Sequence, residues 1–152
     1  MKTAAVLVKD VSTAATISLT DVGTPYVFGN FAFLRISNIS FDLNGAELRI
    51  GTLSMYNTTA TTSIMTFYDF AAGLVKIEGL TTEMISGGTF SIGVNGSMTF
   101  VAYGVDGNPL EGTWSIDDNG YLFNSALVPE PAEWAAIFGA IAIGLALYHR
   151  KK

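Results

Sequence analysis

Ile39-Ser40-Phe41-Asp42-Leu43-Asn44-Gly45-Ala46-Glu47-Leu48-Arg49-Ile50 is the stretch whose reading decides the fold class. Ile39, Phe41 and Leu43 alternate with Ser40 and Asp42, the period of a half-buried β-strand. Asn44-Gly45 follows at once. A type I′ turn needs positive φ at both central positions, and Asn and Gly tolerate it best, so the pair predicts a tight β-hairpin. Glu47–Met55 is then the returning strand.

Upstream, residues 3–9 and 13–20 are rich in Val, Thr, Ile and Ala and read as two strands. Asp21-Val22-Gly23-Thr24-Pro25 is a turn. Tyr26–Phe28 and Phe31–Ile36 follow, with Gly29-Asn30 between them as a bulge or turn. Downstream, residues 57–63 form a polar run, and Ile64–Phe70 and Leu74–Glu78 are strands about the turn Ala71-Ala72-Gly73. Residues 81–86 read as loop, because Glu83 stands too close to Thr81 for a capping box and no helical period follows. Thr89–Val94, Ser97–Gly104, Gly112–Ile116 and Tyr121–Asn124 complete the strands. Asn95-Gly96, Asp106-Gly107-Asn108-Pro109 and Asp117-Asp118-Asn119-Gly120 turn the chain between them, built from residues that reach the left-handed region.

Short strands about 8–12 residues apart with such turns predict an all-β domain over residues 1–127. The expected architecture is an antiparallel two-sheet sandwich, jelly-roll-like. No repeat of 20–50 residues is evident. The expected interior holds Phe33, Phe41, Ile50, Leu53, Phe67, Ile77, Phe90, Ile92, Phe100, Trp114 and Ile116.

Composition narrows the chemistry. Apolar residues make up 49% of the chain and charged residues 14%, with 16 glycines. Residues 1–131 carry five Lys/Arg against twelve Asp/Glu, a net −7, and residues 132–152 a net +2. An acidic outer domain argues against nucleic acid as a partner. There is no cysteine, and His149 is the one histidine. A Ser-His-Asp triad, a thiolate nucleophile and a His-bearing zinc site are therefore excluded from residues 1–131.

The C-terminal 25 residues read in three parts. Val128-Pro129-Glu130-Pro131 is stiff and extended, because each proline fixes its own φ and restricts the residue before it. Residues 132–148 form an apolar run that would span roughly 25 Å as a helix, short against a hydrocarbon core of about 30 Å. Trp134 and Tyr148 suit the two interfaces, and His149-Arg150-Lys151-Lys152 closes the chain in a basic cluster. The reading expects one transmembrane helix over 132–148, anchored by Trp134, Tyr148, Arg150, Lys151 and Lys152. Ala132, Ala136, Ala140 and Gly144 would lie on one face of it.

This tail resembles the PEP-CTERM sorting domain, in which a V-P-E-P motif, one hydrophobic helix and a basic end close the precursors of exported proteins. Val128, Pro129, Glu130 and Pro131 match the motif, and Arg150, Lys151 and Lys152 the basic end. The resemblance covers residues 128–152 only. It implies processing by an exosortase-like enzyme, a Gram-negative envelope, an inner-membrane-anchored precursor, and release to the outer surface or a biofilm matrix rich in exopolysaccharide. A signal peptide is expected ahead of such a domain. Met1-Lys2 gives a minimal basic start, but the apolar stretch Thr3–Val8 is too short and Lys9-Asp10 stops it. A removed or missing signal is therefore expected, with a misplaced or engineered start or unconventional export as the alternatives.

Three candidate sites stand out in the outer domain. Tyr103, Trp114 and Tyr121 could form a sugar-stacking platform, or fill the core and brace hairpins. Asp106, Asp117 and Asp118 give two oxygen-rich turns of calcium character without EF-hand spacing; no other cofactor is expected. Two of the twelve carboxylates could serve a glycosidase, although many stand in turns or at strand ends. Asn38-Ile39-Ser40, Asn57-Thr58-Thr59 and Asn95-Gly96-Ser97 match the glycosylation pattern by chance in so Asn- and Thr-rich a chain. The expected function is a non-catalytic, exported cell-surface or matrix protein. The alternatives are a carbohydrate-binding module or carboxylate glycosidase acting on exopolysaccharide, and a structural subunit that self-assembles by exchange of strand 3–9.

Overall fold

The computed structural model describes residues 4–9, 15–34, 38–128, 140–141 and 148. Eleven strands follow in order: β1 Ala4–Lys9, β2 Ala15–Ser18, β3 Tyr26–Leu34, β4 Ile39–Asp42, β5 Leu48–Ile50, β6 Leu53–Tyr68, β7 Val75–Ile77, β8 Thr89–Ile92, β9 Val94–Ala102, β10 Trp114–Ile116 and β11 Leu122–Asn124. A four-residue helix, α1 Thr82–Ile85, precedes β8, and a 3₁₀ turn, Ser125–Leu127, follows β11.

The pairing corrects the expected jelly-roll sandwich. Nine strands share one sheet, and its pairings are parallel except that of β8 with β9. β10 and β11 form a separate antiparallel hairpin. Parallel neighbours come from successive turns of the chain. Phe28 pairs with Ile50 and Ile50 with Ile77, 22 and 27 residues on. Ile17 pairs with Phe41 and Phe41 with Phe67, 24 and 26 residues on.

These pairings sort into three stacks. The first holds Tyr26–Phe28, β5 and β7. The second holds β1, residues 31–34 of β3 and residues 53–56 of β6. The third holds β2, β4, residues 65–68 of β6 and the end of β9. The chain visits the first, second and third stack in turn and then repeats, so the domain is a short three-sided solenoid of parallel strands. One such turn cannot bury its apolar row alone, and stacking makes the core continuous.

Glycine marks the corners. Gly23, Gly45 and Gly73 hold φ of 72°, 78° and 80° between the third stack and the first. Asn44 also takes positive φ, 46°, as the Asn-Gly pair predicts. Yet β4 and β5, on either side of it, pair with different strands, so the turn bends the chain from one face to the next and closes no hairpin. The Asn44 amide donates to the Leu19 carbonyl one turn earlier, 3.1 Å away, and ties the corners together. At the next corner Gly51 lies under Gly29, and a Cβ there would sit 2.8 Å from the Gly29 carbonyl oxygen.

Phenylalanines fill the axis. Phe31, Phe41, Phe67 and Phe70 are fully buried, and Phe41 stacks on Phe67 at 6.2 Å and 19°. Such ring pairs add about 0.5–1.5 kcal/mol beyond area burial. Trp114, on β10, closes the column edge-on against Phe67, Phe70 and Phe100. The β10–β11 hairpin thus caps the C-terminal end of the solenoid. Thr82, on α1, braces it by accepting from the Ile116 N–H at 2.9 Å. Residues 81–86, expected as loop, supply this short helix and bury Ile85.

Of the expected interior, Phe41, Ile50, Phe67, Ile77, Phe90, Ile92, Phe100 and Trp114 are buried, and Leu53 and Ile116 pack against them half-buried. The Phe33 side chain lies outside the described set. The polar run 57–63 belongs to β6 and continues the sheet.

The membrane reading is corrected as well. Among the described residues no helix is long and apolar enough to cross a membrane. Of the segment 132–148 only Ala140, Ile141 and Tyr148 are described, all exposed. Trp134, Arg150, Lys151 and Lys152 lie outside the described residues.

Candidate functional site

The three aromatic residues expected as one platform occupy three different environments. Trp114 is 5% exposed and serves the core. A ring enclosed by Phe67, Phe70 and Phe100 has no face left for a ligand.

Tyr121 lies on the first stack, in a polar clamp. Its hydroxyl donates to Glu47 Oε1 at 2.6 Å and accepts from Arg49 Nη2 at 3.2 Å. Arg49 Nε also donates to Glu47 Oε1 at 2.6 Å. Lys76, the register neighbour of Arg49, holds its Nζ 5.6 Å from the Tyr121 ring centre and donates to the Asn119 carbonyl at 3.1 Å. The clamp fastens the cap hairpin to the solenoid. Burial would raise the Glu47 carboxyl, but hydrogen bonds from Arg49 and Tyr121, with the charges of Arg49 and Lys76, prevail and hold it below its ordinary value. Donation to Glu47 also raises the Tyr121 phenol.

A carboxyl with a folded pKa below its unfolded one stabilises the fold above the unfolded value, about 4.3 for glutamate. That stabilisation fades as pH falls through the folded value. Glu47→Gln is therefore expected to flatten the acid limb of stability against pH, read from urea midpoints between neutral and acid pH. An unchanged acid limb would remove the clamp's role.

Tyr103 stands on the third stack, half-buried. Its ring stacks on Tyr68 at 5.1 Å and 17°. Tyr68 is 40% exposed and gave no site signal in the sequence, where it is one more strand residue. Only the parallel register places the two rings together, because they are 35 residues apart.

The acidic turns are occupied by their own backbone. Asp106 accepts from the Asn108 N–H at 3.0 Å and the Asn108 side-chain amide at 2.8 Å. These bonds, the backbone one foremost, hold its carboxyl below the ordinary value. Asp117 Oδ1 accepts from the Asn119 and Tyr121 N–H groups at 2.9 and 2.8 Å. Asp118 lies in the same turn. Among the described residues no three His, Asp or Glu side chains gather where they could hold a metal.

An open cleft of about 480 Å³ lies where the Gly51 and Gly79 corners meet the β8–β9 connection. Thr52, Glu78, Leu80, Met84 and Ser91 line it. It holds one carboxylate and no aromatic ring, which suits neither two-carboxylate hydrolysis nor sugar stacking.

Of the sorting motif, Val128 is described. It is extended, with φ −88° and ψ 120°, as a residue before proline must be. Its N–H donates to the Ser125 carbonyl at 3.1 Å, and its side chain is exposed. Pro129, Glu130 and Pro131 lie outside the described residues. No family model, no curated protein and no solved structure matches the chain.

Proposed function

We infer that the protein is a non-catalytic, exported component of the cell surface or extracellular matrix. Its solenoid serves as a scaffold that presents flat strand faces. The observation that carries this reading is the structural employment of several of its charged and aromatic side chains. Glu47, Arg49 and Tyr121 fasten the cap, Asp106 and Asp117 hold turns, and Trp114 fills the core. A carboxylate held by a turn or an ion pair exchanges a proton with substrate only by giving up some of those bonds. The segment Val128-Pro129-Glu130-Pro131, extended and accessible at Val128, is the processing point, and an exosortase-like enzyme the partner that reads it.

Two measurements test this. Intact mass of the protein from the extracellular fraction of its native host is expected to end near residues 128–133. Incubation of the full chain with exopolysaccharide is expected to release no reducing sugar. Release that is abolished by replacing a single carboxylate would make the protein a glycosidase and overturn the reading.

A further inference from the structure

We propose that the outward column Asp42–Tyr68–Tyr103 on the third face binds a linear, neutral glycan. The inference deepens the scaffold reading by naming what the scaffold holds. Along β4 and β6, Phe41 and Phe67 point into the core, so Asp42 and Tyr68, the next residues, point outward. Asp42 is the register partner of Tyr68, and Ser18 is the register partner of Asp42 one turn earlier. Tyr103 continues the row: its N–H donates to the Phe67 carbonyl at 2.9 Å and its ring lies on Tyr68. Ser18, Asp42, Tyr68 and Tyr103 therefore form one line across four neighbouring strands.

The chemistry of that line selects its ligand. Neighbouring strands are about 4.8 Å apart, comparable with one pyranose unit, so successive positions can meet successive sugars. The Tyr68 ring is 40% exposed, and the stacked Tyr103 ring covers one side of it and holds it in place, so little side-chain freedom is lost on binding. Its uncovered side forms a pre-organised apolar surface for the C–H face of a sugar. The Asp42 carboxylate and Ser18 hydroxyl accept hydrogen bonds from sugar hydroxyls. Charge decides against an acidic polymer. The chain carries −5 overall, Asp42 stands in the row, and Arg49 and Lys76, on the first face, are engaged with Glu47 and Tyr121. Two rings flanked by hydroxyl and carboxylate also lack the broad apolar patch of a protein interface.

The experiment is affinity electrophoresis and calorimetry of the full chain with cellohexaose, laminarihexaose, mannohexaose and polygalacturonate. At least one neutral hexasaccharide is expected to bind, and polygalacturonate to bind more weakly than it. Tyr68→Ala and Tyr103→Ala are each expected to weaken binding about tenfold. Asp42→Asn should weaken it less. Tyr121→Phe, away from the row, should bind as the parent does. No binding of any neutral hexasaccharide would overturn the proposal, as would binding that survives Tyr68→Ala or a preference for polygalacturonate. Each of those outcomes leaves the non-catalytic reading intact, since that falls only on released reducing sugar.

Discussion

Phe67→Ala is expected to be the most damaging single substitution in the solenoid. Phe67 is fully buried on β6, with ring centres of Phe41, Phe70, Phe100 and Trp114 at 6.2, 5.9, 5.7 and 6.4 Å. It joins two successive turns to the cap. Truncation removes the transfer free energy of the ring and leaves a cavity, for about 3–5 kcal/mol in a well-packed core. The whole stability of a domain is about 5–15 kcal/mol. A melting point lower by about 10–15 °C is expected, with loss of the near-ultraviolet signal of Trp114 before that of the strands. Phe67→Leu should cost about a third as much. A loss below about 1 kcal/mol for the alanine variant would mean that the ring column is not the axis of the fold.

The second large effect falls on a glycine. Gly93 joins β8 to β9 with φ of 65°, and a Cβ there would collide with the Met55 carbonyl oxygen. Met55 is itself buried, so the backbone on both sides is fixed. Gly93→Ala combines about 1–2 kcal/mol for the left-handed conformation with about 1–3 kcal/mol of overpacking. Gly23→Ala separates the two effects. Its φ is 72°, but a Cβ there meets nothing within 4 Å. Urea unfolding is expected to give about 3 kcal/mol for Gly93→Ala and about 1 kcal/mol for Gly23→Ala. Equal losses would show that crowding at Met55 contributes nothing.

Of these two positions, Phe67 could be placed in advance and Gly93 could not, since the strand expected over Thr89–Val94 runs through it. Alternation placed Phe41, Phe67, Phe90 and Phe100 in the interior, because one side of a strand faces the core whatever sheet it joins. Most strand positions were legible for the same reason, and the turns at Gly23, Gly45, Gly73, Gly107 and Gly120 followed from Gly, Asn and Asp. But Gly51 and Gly93, expected inside strands, turn the chain, and Asn95-Gly96, expected as a turn, lies in β9. The repeat was not legible. Phe28, Ile50 and Ile77 occupy equivalent places at unequal spacing, since the turns differ in length, and after Ile77 the insertion of α1 and β8 breaks the period again. The equivalent residues also differ, as in the column Ile17, Phe41, Phe67 and Ala102. An inward row requires apolar character and fitting volume, not identity.

The candidate site divides in the same way. Tyr103, Trp114 and Tyr121 were visible as aromatic residues, but only long-range packing assigned one to a surface stack, one to the core and one to a clamp. Tyr68 was missed because its partner is 35 residues away. By itself the sequence determined that the chain is β-rich, that its acidic turns are turns, and that Asn44 and Gly45 take positive φ. Those are local matters, settled by side-chain alternation and by which residues tolerate a left-handed backbone. Tertiary structure alone decided that the bend at Asn44-Gly45 leads to a new face and not back along the old one. A turn fixes the direction of four residues; the strand that offers the next row of hydrogen bonds and apolar surface fixes the partner.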